Sequence, residues 1–90
     1  MTEHERARQW RENMGLSRDR LSELVGFSAS RISEIEAGIS RTDGRPVSDG
    51  VMQRYRMACA AVALGIEFDW DTATVRPLQR VQITTIRSEQ

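Results

Sequence analysis

The stretch GLSRDRLSELVGFSASRISEIEAG, Gly15 to Gly38, holds two short amphipathic segments separated by a tight link. Ser17 is placed to cap the first, because a serine oxygen accepts from an otherwise unpaired amide at a helix start. Leu21, Leu24 and Val25 then fall on one helical face. Gly26 ends this helix, predicted over about 17–25, since glycine takes the left-handed capping conformation without a Cβ clash. Phe27 follows as an apolar plug. Ser28 caps a second helix over about 28–37, with Ile32 and Ile35 facing inward and Gly38 closing it. A link of only three residues, Gly26-Phe27-Ser28, forces a sharp crossing. It leaves the start of the second helix standing proud, with amides and a dipole that attract phosphate.

Outward from this pair the grammar stays helical. Thr2 followed by Glu5 forms a capping-box pattern, and Ala7, Trp10 and Met14 recur behind it, so a helix is predicted over about 3–14. Residues 39–47 (ISRTDGRPV) read as a loop, with Asp43-Gly44 and Pro46 as turn chemistry. Ser48 can cap a further helix over about 48–64, whose apolar stripe is Val51, Tyr55, Ala58, Cys59 and Val62. Cys59 is expected in the core. Residues 66–78 show no clear period. Val81, Ile83 and two threonines suggest a strand at about 80–87. The fold class is therefore mainly α: a compact four- to five-helix bundle over 1–65, then a 66–90 extension whose strand offers an edge for dimerisation. Trp70 either covers the domain's own core or anchors a subunit contact.

Bulk properties exclude more than they assign. Ninety residues make one small domain. No apolar run approaches the ~20 residues that span a bilayer, and MTEHERARQW lacks the apolar centre of a secretion signal. A cytoplasmic location without a membrane partner is expected. A single cysteine forms no internal disulfide, and with one histidine no zinc site is credible. Thirteen basic residues, all arginine, meet thirteen acidic ones, and the two halves balance separately. A polyanion partner is thus not announced by net charge and must be argued from local geometry. No nucleophile with a base partner and no phosphate-cradling glycine loop is present, so neither an enzyme nor a cofactor is expected.

Gly15-Leu16-Ser17, Gly26-Phe27-Ser28 and Ile32-Ser33-Glu34-Ile35-Glu36-Ala37-Gly38 stand in an order and register that resemble the Cro/phage-repressor-like (Xre-type) helix-turn-helix family over about residues 5–65. The resemblance implies a second helix that inserts in the major groove while the first straddles the backbone. It implies an architectural salt bridge between Arg11 and Glu36. It places Arg18 where the family usually has a glutamine that grips a phosphate or a base edge. Base-reading positions fall on Ala29, Ser30, Ser33 and Glu34, with Arg31 in reach of a phosphate or a guanine. Ser17 and Ser28 flank the backbone at the helix starts, and Arg41 and Arg45 occupy the loop where related proteins clamp it. Glu34 has two readings: it accepts from cytosine N4, or it holds in place Arg31, three residues back, or neighbouring arginines. The 39–47 loop is longer than the family's usual one, and Ser22 replaces its usual alanine.

Two functions follow from this reading. The first is a sequence-specific DNA-binding transcriptional regulator, a repressor that binds a pseudo-palindromic operator as a homodimer. The rival is an antitoxin or adaptor whose helix-turn-helix serves mainly protein contacts, with a partner such as a toxin. Neutral charge and Glu34 favour the rival; Arg18, Arg31, Arg41 and Arg45 on one face favour double-stranded DNA.

Overall fold

The computed structural model describes residues 1–79. It runs α1 (Glu3–Asn13), α2 (Arg18–Val25), α3 (Ala29–Ala37), α4 (Asp49–Leu64), β1 (Ile66–Asp69) and β2 (Thr74–Pro77). The mainly helical class expected from sequence is observed, with four helices and a small two-stranded sheet among the described residues. The predicted strand at 80–87 lies outside them.

Capping chemistry sets the helix limits. Thr2 and Glu5 make a reciprocal capping box on α1. The hydroxyls of Ser17 and Ser28 each accept from the amide three residues on, at 3.0 Å. Gly26 and Gly38 end α2 and α3 at φ 77° and 79°, a conformation costing other L-residues about 1–2 kcal/mol. At Gly38 a second constraint applies, because a Cβ there would lie 2.6 Å from Nδ1 of His4, whose ring covers the turn.

The chain divides into two compact units, Met1–Tyr55 and a second from Arg56 onward. In the first, Leu21, Ile32 and Ile35 are fully buried, joined by Val51, Met52 and Tyr55. The Phe27 ring meets Tyr55 edge-on at 5.4 Å, so the residue in the link plugs the core. Burying each large aliphatic side chain contributes roughly 1.5–3 kcal/mol, so these few residues hold the crossing. On α1 the sequence pattern misleads. Ala7 and Trp10 are half-buried and Met14 is 46% exposed, whereas Arg11 is the buried residue. A cation can occupy that central place because a carboxylate waits for it on α3.

In the second unit α4 ends at Gly65 and the chain turns into an antiparallel hairpin pairing Ile66 with Pro77 and Phe68 with Val75. Cys59 is half-buried, not in the core. Two four-residue strands are too short to show a period in sequence, and Ala73 takes the φ of 55° that a hairpin turn ordinarily gives to glycine or asparagine. Leu78 is buried, its amide donating to the Gly65 carbonyl at 2.9 Å. The hairpin's polar face carries Arg76, which pairs with Glu67 at 2.8 Å and Asp69 at 3.6 Å. Its apolar residues are open: Phe68 is 45%, Val75 58% and Trp70 86% exposed. Trp70 touches Phe68 edge-on and covers no core.

Candidate nucleic-acid interface

A cluster of three charged groups joins α1, α2 and α3. Arg11 donates from Nε and Nη2 to Oε2 and Oε1 of Glu36 at 2.6 and 3.0 Å, and from Nη1 to the Leu16 carbonyl at 2.9 Å. Both partners are buried, so the pair is a desolvated, two-pronged contact joining α1 to α3. The Glu36 hydrogen bonds raise the already high pKa of Arg11, outweighing the effect of burial. Arg18 then donates from Nε to Glu36 Oε1 at 3.2 Å, tying α2 to the same carboxylate. Its side chain stays 42% exposed, so one edge of the guanidinium is anchored while the group still reaches solvent.

The start of α3 is open. Ser28 and Ser30 are exposed, and Ala29 is half-buried. Arg31 is 35% exposed and lies along its own helix, where Nη1 donates to Glu34 Oε1 at 3.0 Å. Ser17, at the start of α2, is exposed as well. Each capping serine satisfies one amide, leaving the helix start to offer its other first-turn donors.

Farther along α3 the loop folds back. The other oxygen of Glu34, Oε2, accepts from the backbone amide of Arg41 at 2.6 Å, and Nη2 of Arg41 donates to Ser33 Oγ at 2.7 Å. The pKa of Glu34 is lowered, first by that amide and then by Arg31. Arg45 is exposed, makes no side-chain ion pair among the described residues, and donates its amide to Asp43 Oδ1 at 3.0 Å.

The structure thus brings Arg11, Arg18 and Glu36 together, and separately Arg31, Ser33, Glu34 and Arg41. Ser28 meets the second only as a cap on the Arg31 amide, and Ala29 and Ser30 take no part in either network. Sequence reasoning missed four contacts: Arg18 on Glu36, the Arg41 side chain on Ser33, the Arg41 amide on Glu34, and His4 over Gly38. Only the first had a signal, since a charged residue beside a buried carboxylate is drawn to it. The loop's return depends on its three-dimensional path, which no local spacing encodes.

A sequence model of the helix-turn-helix domain family matches residues 5–65, well over half of the 90. No curated protein and no solved structure matches the chain. Among the described residues no helix is long and apolar enough to cross a membrane.

Proposed function

We propose, from the premise that the chain belongs to the helix-turn-helix domain family, that it is a sequence-specific transcriptional regulator of the Xre type, working in the cytoplasm without cofactor or catalysis. The helix over 28–37 enters the major groove, where Ala29, Ser30 and Arg31 meet base edges. Ser17, Arg18 and Ser28 approach the phosphates beside it, and Arg41 and Arg45 extend the contact along the backbone. The observation that carries this reading is the exposed start of α3, with Ser28 and Ser30 open to solvent, in a chain whose Arg18 and Arg31 keep about 42% and 35% of their side chains exposed.

One such module buries too little surface for tight binding, so the working form is a homodimer on a pseudo-palindromic operator, its half-sites about 34 Å apart. The open apolar residues Phe68, Trp70 and Val75 support self-association through the C-terminal extension. Repression follows from occluding a promoter. The adaptor reading keeps one specific support: net charge is zero, and Arg18 and Arg31 each already hold a carboxylate. Selection of bound sequences from a random duplex pool separates the two. A regulator enriches a motif with two symmetric halves, and its affinity falls steeply with salt. Enrichment of no motif, with binding equally weak on all duplexes, would sink the regulator reading.

A further inference from the structure

We infer that Glu34 is a positioning residue, which pins the 39–47 loop onto α3 so that Arg41 and Arg45 form a phosphate clamp fixed relative to the reading helix. The inference rests on the DNA-binding reading above and changes who does what within it.

The loop is itself a closed structure. Ile39 and Pro46 form a bridge, Ser40 donates its amide to the Arg45 carbonyl at 2.8 Å, and Gly44 donates to the Ser40 carbonyl at 2.9 Å. The Val47 amide returns to the Gly38 carbonyl at 3.2 Å. These bonds set the loop's shape but not its direction, since all lie within residues 38–47. Beyond the closing turn of α3, where the Ile39 amide donates to the Glu34 carbonyl at 3.3 Å, its attachment to the helix comes from the side chains of two adjacent residues. Glu34 Oε2 takes the Arg41 amide and Ser33 Oγ takes the Arg41 guanidinium. Backbone and side chain of one loop residue are thus both fixed to the helix, which leaves little freedom to swing.

The same bonds argue against base reading by Glu34. Its side chain is 13% exposed, with one oxygen on Arg31 and the other on Arg41. Meeting a cytosine amino group would add a further donor to a carboxylate already shared between Arg31 and the Arg41 amide and largely withdrawn from solvent. A bare carboxylate would also repel phosphate, whereas this one is neutralised by Arg31 and spent on the loop. Base reading then falls to Ala29, Ser30 and Arg31, at the start of α3. Ser33 and Glu34 serve the loop.

The test pairs a DNA-free measurement with a DNA-bound one. Amide proton exchange by NMR reads the Arg41 amide in wild type, Glu34→Ala, Glu34→Gln and Arg41→Ala proteins. Glu34→Ala should speed exchange at Arg41 about tenfold or more. Glu34→Gln, which keeps an acceptor oxygen, should retain most of the protection and guards against loss of fold. Arg41→Ala keeps the backbone amide and so should keep its protection. Affinities are then measured for a duplex selected by the wild-type protein and for its single-base-pair variants. Glu34→Ala should weaken all of them by a similar factor, roughly three- to tenfold, and lower the salt slope by about one phosphate. Adding Arg41→Ala to Glu34→Ala should cost less than Arg41→Ala costs alone. Unchanged Arg41 exchange in Glu34→Ala overturns the pin. A preference altered at a single base pair overturns it in favour of direct reading. Faster exchange in a protein that binds no duplex overturns the clamp and the DNA reading together, while leaving the loop attachment established.

Discussion

Glu36 serves two guanidinium groups with one buried carboxylate, and the consequences of removing each partner are unequal. Without Glu36, Arg11 is stranded in a desolvated site, a loss of about 3–5 kcal/mol for a buried pair broken on one side. Without Arg11, the carboxylate still holds Arg18. Urea denaturation should therefore show Glu36→Leu to be more damaging than Arg11→Met. The double variant should recover most of the loss, because apolar groups of similar size replace a buried pair at little net cost. A double variant as unstable as the sum of the singles would show that the pair is more than an alternative to apolar packing. Glu34 makes a prediction that depends on pH. Its folded pKa lies below the ordinary carboxylate value, so the stability it contributes is present above that ordinary value and is lost as pH falls through the lowered one. The gap in urea midpoint between wild type and Glu34→Gln should be full at neutral pH and close in acid. The groups facing this carboxylate are Arg31 on its own helix and Ser40 and the Arg41 amide on the loop.

Elements are held by their ends. Gly38→Ala should lower stability by about 1–2 kcal/mol from the left-handed conformation alone, and by more if the His4 ring cannot move aside. Thermal melts of Gly38→Ala with and without His4→Ala separate the two causes. A smaller drop in the His4→Ala background identifies the ring as the obstacle. Ends were also what the sequence told best. Thr2, Ser17, Ser28, Gly26 and Gly38 announce their own positions because capping is local chemistry. The buried face of α1 was not readable from periodicity, since a pattern of apolar residues cannot show that a cation fills its centre. The hairpin was missed for another reason. Glu67 and Arg76 alternate with Ile66, Phe68, Val75 and Pro77, but over strands of four residues, and the turn carries Ala73 where a glycine would have marked it. At the proposed site the resemblance implied the Arg11–Glu36 bond and one reading of Glu34 placed it on Arg31, whereas the bonds of Arg18 and Arg41 that complete the two networks were not visible.

At the scale of the molecule, the hairpin presents an unusual arrangement. Two short strands are marginal alone in water, and here the side that bears Phe68 and Val75 is the open one. Equilibrium sedimentation should find Trp70→Ser with Phe68→Ser to self-associate at least tenfold more weakly than wild type, with unchanged helical circular dichroism. Equal association would place the subunit contact elsewhere. On the proposed reading dimerisation would matter, because a net charge of zero supplies little long-range attraction to DNA. Affinity in that proposal comes from fitted contacts, one set from each subunit.

An NMR titration of the full chain with a selected duplex addresses the fitted surface itself. The account predicts that the amides most shifted or broadened lie at residues 17–18, 28–31 and 41–45, with losses in Arg31→Ala confined to the same regions. Perturbation concentrated instead on the hairpin residues 66–77, with the start of α3 silent, would contradict it.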